Sequence, residues 1–423
     1  MKKIKQINAS KLAFKVLLLE ILITNLSCIA FAETNTFPIS TNENTSTTLS
    51  IDKVKEIAAF SLVDLSTIPE LSEWGNASVE PDITFYDLDG NVTAYAFNVM
   101  KDNQYDGYII ASATKDKYPI LEFSKGKLPN KISAITKKSK NEVANYANKN
   151  KLNVGKSVPI YEGATFYYMT YDLQENKNMG KKKVIVDLVT SEIISKDAIS
   201  EDAENVFFTS KDKIETIESD EIEEAWSDLE SQMTEKAGKS EMESSKENGF
   251  SIQATGTLKT ISGVPYYLAN VRGCAPAAAA MVLGYWDTHG YPNLPSGNTL
   301  INELARAMWT NDGQSHPDMI DESIEKVCKK HGYKNFYGVF DTSLSKSEVT
   351  SEIDANRPFV LSMYDGGVGS GNSNRYGDHA VTCMGYKKMG SRVYVYIHDG
   401  WDTKIHYITF GNWDDVVATR VRT

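Results

Sequence analysis

Residues 264–286 read VPYYLANVRGCAPAAAAMVLGYW, and this stretch decides the fold of the C-terminal half. A loop ends at Gly273, and Cys274 stands where a helix begins. Pro276 suits the first helical turn because the N–H that proline lacks has no intrahelical partner there. The run from Ala277 onwards is strongly helix-forming. The sequence therefore predicts a thiol at the N-terminus of an apolar helix.

A thiol in that position has a chemical consequence. It meets the positive end of the helix dipole and the unsatisfied backbone N–H groups of the first turn. Both favour the thiolate, which is the reactive form of cysteine, and the same N–H groups can donate to an oxyanion on a nearby carbonyl. The alternative interpretation is an inert cysteine buried in an alanine-rich helix. The preceding Gly273 and the residues downstream favour a nucleophile.

Downstream, residues 376–386 read YGDHAVTCMGY and predict a strand that opens at His379 after a glycine-rich loop. Residues 393–401 predict a second strand that ends at Asp399. If the two strands pair, the Asp399 carboxylate can lie against the imidazole, fix its tautomer and stabilise the imidazolium. Trp401 would then shield that hydrogen bond from water.

The order of these residues resembles that of the papain-like cysteine peptidases. The texts GCAPAAAAMVLGYWD and DHAVTCMGY…HDGW are most similar to the bacteriocin-processing (double-glycine) peptidase branch, over about residues 262–412. The resemblance implies an α+β domain with a helix packed on an antiparallel sheet. It implies Cys274 as nucleophile, His379 as general base and Asp399 as the orienting residue. The expected function is peptide-bond cleavage through a thioester, on a protein or peptide substrate.

One departure concerns the oxyanion hole. Papain-like enzymes carry a glutamine some six residues before the cysteine, where this chain has Leu268. Asn270 is the carboxamide nearest in the sequence, so we expect it either to donate to the oxyanion or to form a turn.

The remaining cysteines and histidines point to no second chemistry. Cys328 shares a helical stripe with apolar residues and predicts a core position, and Cys383 is expected behind His379. Whether these two thiols form a disulfide is left open by their spacing. The histidines show no metal-ligand spacing, so we expect neither a metal nor a cofactor.

The N-terminal part predicts export followed by a β-rich region. Residues 1–32 combine a basic start, an apolar run and a small-x-small end at Ala32, typical of a signal peptide that is either cleaved or retained as an anchor, so we expect a protein secreted to the cell exterior or the cell surface. Residues 33–205 alternate as strands, with a hairpin at Asp89-Gly90 and a helix at 134–148. The text of residues 107–126 is similar to the propeptide of streptopain-like enzymes, which implies a zymogen whose N-terminal half is an intramolecular inhibitor.

An acidic tract, 206–255, separates this region from the peptidase-like domain, 256–423. Residues 211–249 hold 13 acidic side chains against 5 basic ones, so most of the net charge of −11 lies there. Such a tract predicts a linker or a marginal helix, serving as a spacer or as a site for cutting away the N-terminal half. The acidic balance excludes nucleic acid as an expected partner.

Two other functions fit the same residues. A cell-wall amidase could use the same three side chains, because they serve any acyl transfer. A non-catalytic binding protein on a peptidase scaffold would explain the missing glutamine.

Overall fold

The computed structural model describes residues 48–87, 90–175, 181–191, 193, 218–243, 256–269, 272–310, 315, 317–364, 379–413 and 415–423. All of them belong to one compact unit, Ser46–Thr423. The predicted signal peptide, 1–32, lies outside the described residues, as do Asn270 and the glycine-rich loop before His379. Within the described ranges, no helix has the length and apolar character needed to cross a membrane.

Two α-helices lie close to their predicted positions, the one predicted at 134–148 and the one that begins at Cys274, whereas Ile51–Leu65 is a helix in a region predicted to alternate as strands. Ser345 and Glu348 form a capping box at the start of the helix Lys346–Asp354. The helices are α1 (Ile51–Leu65), α2 (Ser133–Asn150), α3 (Glu218–Glu243), α4 (Cys274–Asp287), α5 (Gly297–Ala307), α6 (Ile320–Lys330) and α7 (Lys346–Asp354). Short 3-10 helices lie at Pro69–Asn76, Pro129–Lys131 and Pro317–Met319.

The strands of the N-terminal half are β1 (Ser78–Tyr86), β2 (Val92–Lys101), β3 (Gln104–Ser112), β4 (Ile120–Ser124), β5 (Leu152–Gly163), β6 (Phe166–Glu175) and β7 (Lys181–Asp187). Those of the C-terminal half are β8 (Leu258–Thr260), β9 (Tyr337–Asp341), β10 (Phe359–Tyr364), β11 (His379–Met389), β12 (Arg392–His398), β13 (His406–Thr409) and β14 (Asp415–Arg422). The predicted hairpin is present, with Tyr86 of β1 opposite Val92 of β2.

All these strands form one mixed sheet in an α+β fold. The order is β7-β6-β5-β1-β2-β3-β4-β13-β12-β11-β10-β14-β9, and β8 pairs with β11. Neighbours are antiparallel except β1 and β5, which are parallel. The sequence predicts two folded modules, yet strands of both halves join in a single sheet.

The halves meet where β4 pairs with β13, and we call this pairing the seam. Ser124, Phe123 and Glu122 of β4 stand opposite His406, Tyr407 and Ile408 of β13. Polar side chains also bond across it: Thr409 Oγ1 donates to the Ile120 carbonyl at 2.5 Å. Because apolar residues of both halves belong to one buried cluster, the seam is part of the core rather than a surface contact.

Helix α3 comes from the acidic tract that predicts a linker or a marginal helix. Among its described side chains, Ala225, Trp226 and Leu229 are buried where the helix packs on the N-terminal half. Trp226 Nε1 donates to the Lys117 carbonyl at 2.7 Å, and Glu221 pairs with Lys346 of the C-terminal half. This part of the tract therefore contacts both halves.

The peptidase-like half places α4 against the sheet. Residues 275–285 of α4 are all buried, which matches their alanine-rich apolar text. Thr382 Oγ1 of β11 donates to the Ala278 carbonyl of α4 at 2.9 Å. That bond joins the two elements whose first residues are Cys274 and His379.

Candidate active site

Cys274 is the first residue of α4, as the sequence predicts. It is partly buried, and residues 275–285 of the helix behind it are all buried. Gly273 has φ 93°, a left-handed conformation that favours glycine, and its N–H donates to the Ala269 carbonyl at 2.8 Å. Ala269 in turn donates its N–H to the Gly400 carbonyl at 2.9 Å. The loop before the thiol is therefore tied to the turn that follows β12.

His379 begins β11 and is only 2% exposed. Its Nε2 lies 3.1 Å from the backbone carbonyl oxygen of Asp399. A carbonyl can only accept, so Nε2 carries the proton and Nδ1 of a neutral ring is left with its lone pair. Nδ1 has no hydrogen-bond partner among the described residues, which leaves it available to take a proton.

The surroundings of His379 keep it uncharged. Burial lowers the pKa of His379 to about 4, although the Asp399 carbonyl opposes that shift. Trp401 stacks on the imidazole, with 4.9 Å between ring centroids and 19° between ring planes. Trp401 thus covers the imidazole itself, whereas the sequence predicts that it shields a bond between His379 and the Asp399 carboxylate.

The Asp399 carboxylate departs from its expected place. The sequence predicts it against the imidazole of His379, but only its backbone carbonyl makes that contact. Its Oδ1 accepts from the Trp401 N–H at 2.9 Å, a local Asx turn. Its Oδ2 lies 3.0 Å from His406 Nε2. The local turn and the nearby cation therefore draw the carboxylate away from His379.

His406 is a residue that sequence reasoning missed. It is 1% exposed, and its Nε2 lies 3.3 Å from Asp402 Oδ1 as well as close to Asp399. Burial lowers the pKa of His406, but the two carboxylates outweigh burial and raise it to about 9. Burial and the Asp402 charge raise the pKa of Asp399 to about 6, against the effect of His406.

The far side of His406 faces the N-terminal half. Its Nδ1 lies 3.0 Å from the Tyr108 hydroxyl, and that hydroxyl donates to Glu122. The only local signal for this arrangement was the four-residue spacing of Asp402 and His406 around a turn. Tyr108 and Glu122 lie almost 300 residues earlier in the chain, so no local pattern could connect them.

Asp399, Asp402 and His406 are also a group of the kind that can hold a metal ion, with ligand atoms within 4.8 Å of one another. Their contacts are those of an ion pair instead. His406 Nε2 lies 3.0 Å from Asp399 Oδ2 and 3.3 Å from Asp402 Oδ1, so the three side chains satisfy one another. The group carries no argument for a metal.

Of the thiols in the described residues, the two besides Cys274 are buried and are not in a disulfide. Cys328 and Cys383 are both fully covered, as the sequence predicts for core positions. Burial raises the pKa of each thiol to about 12. Neither thiol can supply a thiolate near neutral pH, so the candidate nucleophile is Cys274.

Comparison with known proteins gives one match. A search of the curated proteins finds none that matches the chain. Residues 261–416, which include Cys274, His379 and Asp399, match the model of the Peptidase_C39 like family. The match does not include the N-terminal half, and the resemblance of that half to a streptopain-type propeptide stays a prediction. Over residues 261–416 the chain is therefore similar to the Peptidase_C39 like family, and the match supports a cysteine peptidase-related function of the hydrolase class.

Proposed function

We propose that the chain is a secreted cysteine peptidase made as a zymogen, in which residues 1–32 direct export and the N-terminal half inhibits the peptidase domain. The proposed catalytic role of Cys274 and His379 rests on the packing of α4 against β11. The bond from Thr382 to Ala278 fixes together two elements that begin with a thiol and with an imidazole. The family match over the same residues supports the same chemistry.

The proposed reaction is acyl transfer to Cys274. His379 Nδ1 takes the thiol proton, and the thiolate attacks the carbonyl carbon of a peptide bond. The oxyanion is held by backbone N–H groups at the start of α4, with Asn270 as the candidate side-chain donor. His379 then gives its proton to the leaving amine, and water hydrolyses the thioester with His379 again as base.

The orienting role falls to Asp399 in two forms. In the conformation described, its backbone carbonyl fixes the tautomer of His379, which is the one that leaves Nδ1 as the base. Its carboxylate is the proposed partner of the imidazolium that forms during the reaction. A neutral, covered His379 is what a latent precursor is expected to contain, since it lacks a charged partner for the imidazolium.

An aromatic contact between the two halves supports the proposed latent state. Tyr167 of the N-terminal half packs edge-on against Trp401, with 5.8 Å between ring centroids. Trp401 in turn stacks on His379. The proposed inhibitor thus contacts the ring that covers the proposed base.

The experiment is labelling of the secreted protein with an irreversible thiol-directed peptidase inhibitor, followed by mass spectrometry. We expect one adduct on Cys274 and loss of both casein cleavage and self-cleavage in Cys274→Ala. Cys383→Ala is the matched control and should keep activity, since that thiol is buried and unreactive. Activity retained by Cys274→Ala would refute the assignment.

Two rival functions predict different outcomes in the same experiments. A cell-wall amidase would release muropeptides from purified peptidoglycan and leave casein intact. A non-catalytic binding protein would leave Cys274 unlabelled in every form of the chain.

A further inference from the structure

One buried histidine, His406, connects the two halves of the chain to the candidate active site. It begins β13 and stands opposite Ser124 of β4 at the seam. Its side chain lies between Asp399 and Asp402 on one side and Tyr108 on the other. A change in the N-terminal half can therefore reach Asp399 through this ring.

Glu122 determines which atoms carry protons in this network. Its side chain is completely buried. It accepts hydrogen bonds from Tyr108 and Tyr167 on Oε1, and from Tyr161 and the Thr165 N–H on Oε2. Glu122 is the acceptor in all four of these hydrogen bonds.

The proton of Tyr108 is consequently directed to Glu122. A phenol has one proton, so the Tyr108 oxygen can only accept from His406 Nδ1–H. His406 Nε2 faces two carboxylates and carries a proton as well. His406 is therefore an imidazolium whose two N–H groups point to opposite halves of the network.

The contact between His406 and Asp399 is held by charge. Nε2 and Oδ2 are 3.0 Å apart, yet Asp399 Oδ2 has no hydrogen bond of good geometry to any described residue. A buried carboxylate oxygen without a hydrogen bond is costly unless an opposite charge is close by. Without the His406 charge, this oxygen would need another cation or donor, and His379 lies next to the same residue.

We infer that His406 is a positioning residue that keeps the Asp399 carboxylate turned away from His379, and that Tyr108 of the N-terminal half holds His406 in that position. This inference rests on the proposed function. Departure of the N-terminal half removes Tyr108 and Glu122 together, so His406 Nδ1–H loses its buried acceptor. The Asp399 carboxylate is then released to pair with the imidazolium of His379.

The test uses the full-length chain with Tyr108→Phe, which removes one hydroxyl and keeps the ring. The rate of Cys274 labelling by an epoxysuccinyl inhibitor is followed by intact mass, so that precursor and processed protein are measured separately. We expect the uncut Tyr108→Phe precursor to be labelled about ten times faster than the wild-type precursor. Loss of one hydrogen bond to a charged group shifts a conformational equilibrium by about that factor.

The matched control is Tyr161→Phe. Tyr161 also donates to Glu122, at 3.2 Å, is buried as well, and accepts from Asn412 Nδ2 at 2.9 Å. It makes no hydrogen bond to His406, so its loss should leave the precursor's labelling rate within about twofold. Equal acceleration by both variants would mean that general loosening, and not the His406 contact, controls the thiol, and would overturn the inference.

A pH profile separates positioning from a structural role. The labelling rate of the wild-type precursor should rise as His406 loses its proton, and Tyr108→Phe should move that rise to lower pH. The charged and titratable groups that face His406 are Asp399, Asp402, Tyr108, Glu122 and His398. An unchanged midpoint in Tyr108→Phe would contradict the inference.

The outcomes distinguish the two proposals. If processed protein is labelled but the Tyr108→Phe precursor behaves as wild type, the positioning role of His406 is wrong and the peptidase assignment stands. If Cys274 is labelled in no form of the chain, the peptidase assignment fails and the positioning role fails with it.

Discussion

Replacing Phe123 by alanine should destabilise the protein strongly and should weaken the seam in particular. The ring is fully buried. It stacks on Tyr407 at 4.8 Å and 7° and meets Tyr394 edge-on at 5.1 Å, with Trp74 at 6.2 Å. Removing a buried phenylalanine ring typically costs about 3–5 kcal/mol. The lost aromatic pairs, each worth about 0.5–1.5 kcal/mol beyond burial, put this position at the upper end of that range.

The measurement is urea unfolding followed by circular dichroism, in a Cys274→Ala background that prevents self-cleavage. Native-state hydrogen exchange of the amides in 406–409 then reports on the seam. Phe97→Ala is the matched control, because Phe97 is equally buried but lies in β2. We expect a comparable loss of stability in both variants but a selective loss of amide protection in β13 only for Phe123→Ala.

Two results would refute this reasoning. A loss below about 1 kcal/mol would mean that the ring does not bridge the two halves as described. Equal protection of β13 in the two variants would mean that the halves stay joined without the aromatic contacts of the seam.

Three further predictions concern pH and packing. The pKa of His406 is raised from 6.5 to about 9, so its charge contributes stability that is complete below pH 6.5 and is lost as pH rises through 9. The unfolding free energy should fall by about 3 kcal/mol over that interval, and a flat profile in urea titrations would contradict this prediction. Arg357 and Arg422 lower the pKa of Glu352, although burial opposes that shift, so the stability that this ion pair contributes above pH 4.5 should be lost in acid. Between pH 7 and pH 3 the melting temperature should therefore fall less in Glu352→Gln than in wild type. Thr382→Val removes the buried hydroxyl that joins β11 to α4, and we expect the unfolding free energy to fall by about 1 kcal/mol and Cys274 to be labelled more slowly. An unchanged labelling rate would show that this hydrogen bond does not position α4.

The sequence-based predictions that the structure confirms depend on residues close together in the chain. The glycine before Cys274 and the alanine-rich run after it set the start of α4, because both act within one or two helical turns. The strand at His379 and the hairpin before Val92 depend on equally short spacings. Burial of Cys328 followed from its helical stripe.

The departures involve contacts between residues distant in the chain. Pairing of β4 with β13 joins residues about 280 positions apart, and the alternation of either strand would suit other neighbours as well. The Asp399 carboxylate was expected on His379 because two adjacent strands allow it. Its Asx turn to Trp401 and its charge contact with His406 compete with that arrangement, and the second of these was not readable from the sequence.

The acidic tract shows how composition can hide packing. Its charge predicts a linker or a marginal helix, yet Trp226 supplies a large apolar ring and an N–H donor in the middle of the tract. The ring is buried, and the N–H finds a backbone acceptor in the N-terminal half. Together with buried Ala225 and Leu229, this ring gives an acidic stretch the apolar contacts that its net charge does not indicate.

The pairing of β4 with β13 has a consequence for solubility. If the N-terminal half leaves, β13 becomes the last strand on its side of the sheet, and its backbone donors and acceptors face open solvent. All four of its residues are buried in the joined molecule, among them Tyr407 and Ile408. A bare edge with apolar side chains is a template for pairing with another copy and so for aggregation. The N-terminal half therefore acts as a built-in edge cover for the peptidase-like sheet, whatever its effect on the chemistry.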